Sequence, residues 1–226
     1  MITIKKIGVL FLFIIIVICA SFIKFNKYIQ SSSLSNYVIF IDPGHGGKDN
    51  GTSYNEILED ELNMKLSLIL FEQIVNDGAM CYLTRNDDYD LSSMYSKNHK
   101  LDDLNKRVKY IDESKCDLFI SLHLNYYSND NVNGLQTFYQ KNNENSKKLA
   151  EIMQSHLNAV NKRDKKCKLG DYYLLNNTHS TGILIEFGFL SSEYDRERLL
   201  DDKYLHKLST IIKKGISEYL YSISKY

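Results

Sequence analysis

The stretch IFIDPGHGGKDNG, residues 39–51, begins with branched and aromatic apolar residues and ends in a turn rich in glycine. The apolar part is typical of a buried β-strand. Pro43 cannot donate a hydrogen bond to a sheet ladder, and the glycines that follow it permit backbone angles that other residues avoid. We therefore predict that a strand ends here in a tight turn, which holds Asp42 and His45 at the edge of a sheet.

Runs of the same apolar kind recur along the chain and alternate with longer segments of helical period. Strands are predicted at 37–42, 79–85, 116–124, 134–140, 172–175 and 182–189. Amphipathic helices are predicted at 59–77, 101–114, 144–160 and 204–223. Several strands do not alternate between apolar and polar residues, which is expected when helices cover both faces of a sheet. The pattern predicts a single α/β domain with a mainly parallel, mixed sheet of about six strands and helices on both faces.

A hydrophobic segment precedes this domain. Residues 7–23 are uncharged and almost wholly apolar, and they follow Lys5 and Lys6. The run is short for a membrane span, which needs roughly 20 residues, but longer than the roughly 7–15 residues of a signal-peptide core. The lysines favour a cytoplasmic N-terminus, so the rest of the chain is expected outside the membrane. We predict a signal peptide or an uncleaved signal anchor at 1–23; a buried core helix is the alternative.

The segment 24–36 is polar and rich in serine, which is typical of a linker. Residues 37–226 then form the folded domain, whose length suits one domain. Four of the chain's 28 basic side chains precede this domain and none of its 28 acidic ones does, so the domain is acidic by about four charges. Nucleic acid is therefore not an expected partner, because phosphate binding requires a basic surface.

The four cysteines do not form a framework. No CxxC pair occurs, which argues against a zinc cluster held by cysteines. Cys81 and Cys116 lie in or beside predicted strands, where two buried free thiols are the simpler interpretation. A disulfide between them is the alternative outside the membrane.

Polar side chains stand at the ends of three predicted strands. Asp42 and His45 follow the first, His123 and Asn125 end the strand at 116–124, and Glu186 lies within the last. In an open α/β sheet, ligands bind beyond the carboxyl ends of the strands. Although a single histidine at such a place is more often a hydrogen-bonded loop residue, the coincidence predicts a metal site.

Imidazoles with one carboxylate suit Zn²⁺, and a catalytic zinc keeps three protein ligands and one open position for water. Zinc lowers the pKa of that water to about 7, so that a nearby carboxylate can take its proton while a substrate carbonyl is attacked. These residue types predict hydrolysis of an amide. They leave open which carboxylate completes the ligand set. The candidates are Asp42, Asp49, Glu56, Glu59, Asp60, Glu61 and Glu186.

Six ordered segments carry a resemblance to a known family. They are DPGHGGKDNG, EDELNMKLS, TR at 84–85, LNKRV at 104–108, DLFISLHLN and GILIEFGFLSS. Their order and content resemble the zinc-dependent N-acetylmuramoyl-L-alanine amidases of the amidase-3 family, over essentially all of residues 37–222. A phosphate-binding loop is the rival interpretation of the first segment, but no Lys-Ser/Thr pair follows the glycines.

The resemblance implies a role for each residue at the site. His45, Glu59 and His123 would bind one Zn²⁺ per chain. Glu186 would be the catalytic glutamate, acting as general base and then protonating the leaving amine.

Four further residues have expected supporting roles. Asp42 and Asn125 are expected to orient the ligating imidazoles. Arg85 and Arg107, with the basic loop 162–168, could pair with carboxylates of the substrate. For that loop, a solvated run of charge is the preferred alternative.

The implied substrate is peptidoglycan, cut at the amide between N-acetylmuramic acid and L-alanine. One catalytic domain behind one hydrophobic segment, together with the segment 168–192, is similar to the germination-specific amidases of spore-formers. Those enzymes strip stem peptides from cortex muramic acid so that muramic-δ-lactam can form. The resemblance implies an exported enzyme between the forespore and mother-cell membranes, either anchored by its N-terminal segment or secreted. Targeting would rest on that anchor or on an unidentified activating or targeting protein. A catalytically silent peptidoglycan-binding module and a zinc peptidase acting within the stem peptide are the alternatives.

Overall fold

A mixed β-sheet of six strands organises the protein in the computed structural model, which describes residues 14–19 and 34–224. The strands are β1 (Val38–Pro43), β4 (Met80–Leu83), β5 (Leu118–Asn125), β6 (Gln136–Tyr139), β7 (Lys168–Leu169) and β8 (Gly182–Phe189). Their order across the sheet is β4-β1-β5-β8-β6-β7, and every neighbouring pair is parallel except β6 and β8. A two-stranded hairpin, β2 (Ser53–Tyr54) and β3 (Ile57–Leu58), lies apart from this sheet.

Helices cover both faces. They are α1 (Glu59–Asn76), α2 (His99–Ser114), α3 (Glu144–Asn158), α4 (Tyr173–Asn177), α5 (Glu193–Leu199) and α6 (Asp202–Ile223). A first core lies between the sheet and α1, α3 and α6, and includes Leu66, Met153 and Ile212 from those helices. A second core lies on the opposite face and includes Ile111 of α2 and Leu174 of α4. The predicted α/β architecture, with its mainly parallel mixed sheet and helices on both faces, is confirmed.

The central strands explain why the sheet is buried on both sides. Ile41 and Ile120 face the first core, while the adjacent Phe40 and Phe119 face the second. The side-chain period of a strand is two, so a run of apolar residues supplies both cores at once. Each such side chain, once buried, contributes about 1.5–3 kcal/mol through removal of apolar surface from water.

The predicted helices 59–77, 101–114, 144–160 and 204–223 are confirmed to within two residues at each end. Five of the six predicted strands are present as well.

The strand predicted at 172–175 is wrong. The chain forms the short helix α4 there, and the sixth strand is Lys168–Leu169 instead. Leu174 and Leu175 are adjacent, and both are buried in the second core. A helical turn can bury two adjacent side chains in one core, whereas a strand would direct them to opposite faces of the sheet. A short apolar run does not distinguish a strand from a helix by periodicity, which explains the error.

The predicted signal segment 1–23 and linker 24–36 lie largely outside the described residues. Leu34, within the predicted linker, is fully buried in the first core. Over residues 14–19 and 34–224, no helix is both long and apolar enough to cross a membrane. Cys81 and Cys116 are free thiols rather than a disulfide.

Candidate active site

The candidate site lies at the carboxyl edge of the sheet, where β1, β5 and β8 run side by side in parallel. Asp42 near the end of β1 pairs with Ser121, and His123 near the end of β5 pairs with Glu186. The turn after β1 carries His45 to the same edge. The three strand ends that the sequence marked with polar residues therefore meet, as the topology of a parallel sheet requires.

Two histidines and a glutamate converge closely. His45, Glu59 and His123 each offer one ligand atom, and these atoms lie within 4.8 Å of one another. Glu59 Oε1 lies 3.2 Å from His45 Nε2 and 3.1 Å from His123 Nδ1. Ligand atoms around a tetrahedral zinc are about 3.4 Å apart, given bonds of about 2.0–2.1 Å. The donor set and its spacing thus fit Zn²⁺, with Glu59 as the carboxylate of the set.

Glu59 is the first residue of α1 and is almost completely buried. Its Oε2 accepts a hydrogen bond from Thr52 N at 2.7 Å, and its Oε1 accepts one from Leu124 N at 3.0 Å. Burial would raise the pKa of Glu59, but the imidazoles of His123 and His45 outweigh burial and hold that pKa well below its usual range. The carboxylate is therefore ionised and held still, as a metal ligand must be.

His45 has a left-handed backbone, with φ of 60°. Its Nδ1 lies 3.0 Å from Asp49 Oδ2. We assign the Nδ1 proton to this contact, so that Nε2, which lies 3.2 Å from Glu59 Oε1, would be the atom that gives up its proton to bind a metal. Burial would lower the pKa of His45, but Asp49 and Glu59 together raise it to about 9. Asp49 was one of the open ligand candidates, and the structure makes it the partner that orients His45.

Two glycines leave room for the ligands. A Cβ at Gly44 would lie 2.3 Å from the His123 ring. A Cβ at Gly51, where φ is +66°, would lie 2.5 Å from Glu59 Oε2 and 2.7 Å from the His45 ring. Real Cβ atoms do not approach other atoms so closely, so a side chain at either position would displace a ligand.

Glu186 lies beside this set, in the buried strand β8. Its Oε1 accepts a hydrogen bond from the Tyr172 hydroxyl at 3.1 Å. Among the described residues, its Oε2 has no hydrogen-bond partner although it is buried. Burial raises the pKa of Glu186 to about 7, against the opposing influence of His123. A carboxyl group with a pKa near 7 can accept and return a proton at neutral pH.

Among the described residues, Asp42 makes no hydrogen bond to an imidazole, and its charge acts on His123 only through space. Its carboxylate accepts hydrogen bonds from the hydroxyls of Thr84 and Ser121, at 2.7 and 2.6 Å, and from Arg107 at 2.7 Å. Burial would raise the pKa of Asp42, but Arg107 and the Ser121 hydroxyl lower it overall. Asp42 thus anchors Arg107 beneath the turn.

Both arginines hold the backbone of the turn. Arg107 donates to the carbonyls of Pro43 and His45, at 2.7 and 2.6 Å. Arg85 donates to the carbonyls of Pro43 and Gly44, at 3.1 and 2.9 Å. Both side chains are buried, and Arg107 also lines a cavity beside His45, so pairing with substrate carboxylates stays a prediction. Their hydrogen bonds stabilise the conformation that presents His45.

Asn125 is likewise used locally, because its Oδ1 accepts from the backbone N–H of Tyr126 at 2.8 Å. Most of the basic loop 162–168 is exposed, although two of its lysines contact the rest of the fold. Lys162 lies over the Tyr194 ring, and Lys165 donates to the carbonyl of Gly134 at 2.8 Å. These contacts favour a structural role for the loop over one in substrate binding.

A cavity of about 250 Å³ opens beside the metal-ligand set. His45, His123, Lys100 and Tyr172 line it. Sequence reasoning missed Lys100 and Tyr172, the latter because its segment was predicted as a strand. A candidate metal-ligand set, a buried carboxyl group beside it and an open cavity suit the hydrolysis of a polar bond.

Known proteins agree with this chemistry. The family model described as N-acetylmuramoyl-L-alanine amidase matches residues 39–218. The germination-specific N-acetylmuramoyl-L-alanine amidase of Bacillus subtilis (strain 168) is 34% identical over 194 residues, which cover 84% of this chain and 82% of that protein.

Solved structures give the same result. The CwlD amidase from Clostridioides difficile, solved in complex with the GerS lipoprotein, superposes with a TM-score of 0.79 at 33% identity and covers 83% of this chain and 100% of its own. A second match is the catalytic domain of CwlV, an N-acetylmuramoyl-L-alanine amidase from Bacillus (Paenibacillus) polymyxa var. colistinus. It superposes with a TM-score of 0.72 at 29% identity and covers 81% of this chain and 98% of its own. The chain therefore belongs to the N-acetylmuramoyl-L-alanine amidase family.

Proposed function

We propose that the protein is a zinc-dependent enzyme that hydrolyses the amide between N-acetylmuramic acid and L-alanine in peptidoglycan. The observation that carries this proposal is the convergence of His45, Glu59 and His123 within 4.8 Å, with Glu186 beside them. Membership of the amidase family supports the choice of bond.

His45, Glu59 and His123 would hold the zinc. When bound, the ion would supply an acidified water and would polarise the substrate carbonyl. The protein contributes the rigidity of the site: Asp49 fixes the tautomer of His45, and backbone N–H groups fix both oxygens of Glu59.

Glu186 is proposed as the group that moves the proton. Its Oε2, which has no hydrogen-bond partner among the described residues, accepts a proton from the attacking water as the new carbon–oxygen bond forms. The same oxygen returns the proton to the nitrogen of L-alanine as the carbon–nitrogen bond breaks. One carboxyl group can perform both transfers because its pKa lies near 7.

We propose that the substrate is spore cortex, where removal of the stem peptide leaves muramic acid free to form muramic-δ-lactam. Support comes from the similarity to the germination-specific amidase of Bacillus subtilis. This assignment places the enzyme between the forespore and mother-cell membranes, with the hydrophobic segment 7–23 as export signal or membrane anchor.

A partner protein is also proposed, for activation or targeting. The Clostridioides difficile neighbour was solved together with a lipoprotein, which supports a similar arrangement here. The test is whether co-expression with a lipoprotein from the same genome raises the zinc content or the rate of muropeptide cleavage.

Mass spectrometry of muropeptides tests the activity itself. The full-length protein, purified in detergent and loaded with zinc, should release intact stem peptides that begin with L-alanine, and Glu186→Gln should release them at least about 10²-fold more slowly. A zinc peptidase would leave amino acids attached to the muramic acid. Full zinc stoichiometry with binding but no release, even after co-expression with the lipoprotein, would favour the silent binding module.

A further inference from the structure

Tyr172 reaches the proposed catalytic base from outside the strands that form the site. It is the residue immediately before α4, with an extended backbone. Its ring packs edge-on against Phe138 of β6, with centroids 5.1 Å apart and planes at 68°. Its hydroxyl lies 3.1 Å from Glu186 Oε1. The ring is therefore held by packing, and the hydroxyl has a defined position.

The two oxygens of Glu186 are consequently unequal. Oε1 accepts the Tyr172 hydrogen bond, while Oε2 has no partner among residues 34–224 although it is buried. A buried carboxylate oxygen without a partner loses the stabilisation that water would supply. Such an oxygen is suited to receive a proton during a reaction.

We infer that Tyr172 is a positioning residue for the reaction: its hydroxyl holds Oε1 of Glu186, so that Oε2 faces the attacking water. This inference rests on the proposed amidase function. Tyr172 also lines the cavity beside the metal-ligand set, so its hydrogen bond lies at the boundary between the base and the space for substrate.

The tyrosine keeps its proton over the working range of pH. Burial and the neighbouring Glu186 raise the pKa of Tyr172 above its usual value. Tyr172 can therefore donate to the ionised carboxylate throughout, which a histidine or carboxyl group at this place could not do. The hydrogen bond requires no change of charge at Tyr172 itself.

The variant Tyr172→Phe removes the hydroxyl and keeps the ring that packs against Phe138. We expect kcat for muropeptide cleavage to fall by about 10- to 100-fold. This loss is part of the rate acceleration of about 10²- to 10⁴-fold that a positioned general base contributes. KM and zinc stoichiometry should stay unchanged, because the hydroxyl holds the base and neither a ligand nor the substrate. The matched control is Tyr204→Phe, which removes a hydroxyl from a half-buried tyrosine packed against the first core.

Several results would overturn the inference. They are an unchanged kcat, a raised KM with kcat retained, or loss of zinc from a folded variant. A double variant adds a stricter test: in Glu186→Gln enzyme, adding Tyr172→Phe should lower the residual rate no further, and a further fall would show that Tyr172 acts elsewhere.

A second pair of variants serves if Tyr172→Phe does not fold. Tyr172→Gln retains a donor and Tyr172→Leu does not, so the Gln variant should be faster; equal rates would contradict the inference. Crystal structures of the wild-type protein and Tyr172→Phe provide a measurement that does not need amidase activity. Glu186 should leave its position or occupy more than one, whereas an unmoved, single carboxylate would overturn the inference even if the wild-type protein cleaved no muropeptide.

Discussion

Arg107 Nη1 lies 2.7 Å from Asp42 Oδ1, and both side chains are almost completely buried beneath the turn that carries His45. This ion pair connects α2 to the end of β1. Because Arg107 also donates to the carbonyl of His45, the same guanidinium group stabilises the fold and holds the turn that carries His45.

Removal of Arg107 should therefore cost stability. We expect Arg107→Ala to lower the free energy of unfolding by about 3–5 kcal/mol, because Asp42 would remain as a buried charge without its partner. The matched control is Lys109→Ala on the same helix, where the pair with Glu113 is exposed and should contribute about 0–1 kcal/mol. Urea unfolding followed by circular dichroism measures both, and equal losses would contradict the proposed difference.

The Asp42 carboxylate should make the free energy of unfolding depend on pH in the acidic range. Its pKa is lower in the folded protein than its unfolded value of about 3.9, so its contribution is complete above that pH. The contribution is lost as pH falls through the lower, folded pKa. The difference in unfolding free energy between wild type and Asp42→Asn should thus shrink progressively as the pH falls below about 4. Asp49 and Glu59 also have lowered pKa values, but they are present in both proteins and cancel in the difference. A difference that stayed constant would show that Asp42 does not titrate in this way.

Gly51→Ala should weaken metal binding. The new Cβ would meet both Glu59 and His45, so we expect zinc affinity to fall by about 10- to 100-fold, comparable to the loss of a group that orients a ligand. Gly78→Ala is the control, since φ is +90° there and the added Cβ would meet Ser35. Both variants should lose stability through backbone strain, but only Gly51→Ala should lose zinc in a competition titration with a chelator. Equal affinities would argue against the proposed crowding.

Substitution of the proposed catalytic base and substitution of a proposed zinc ligand should have different effects on zinc binding and turnover. Glu186→Gln should keep zinc and lose at least about 10²-fold in turnover, whereas His123→Ala should lose both zinc and turnover. Metal analysis of the purified variants, together with muropeptide mass spectrometry, separates the two. Full zinc stoichiometry in His123→Ala would refute its assignment as a ligand.

The sequence by itself determined the architecture and most of the site. Apolar runs that supply two cores at once, such as Phe40 with Ile41, specify a sheet covered on both faces. Polar residues after those runs, among them His45 and His123, had to meet at one edge because parallel strands share their carboxyl ends. These features depend on the order of apolar and polar residues along the chain, which can be read directly from the sequence.

Only the tertiary structure decided which partners the polar side chains take. Arg107 and Asp42 are 65 residues apart in the chain, and nothing in their spacing indicates that each neutralises the other beneath a turn. Tyr172 lies on a short apolar segment whose helical form depends on the second core, so its contact with Glu186 could not be predicted. Long-range contacts of this kind follow from how whole elements pack, and periodicity records only which face of an element is buried.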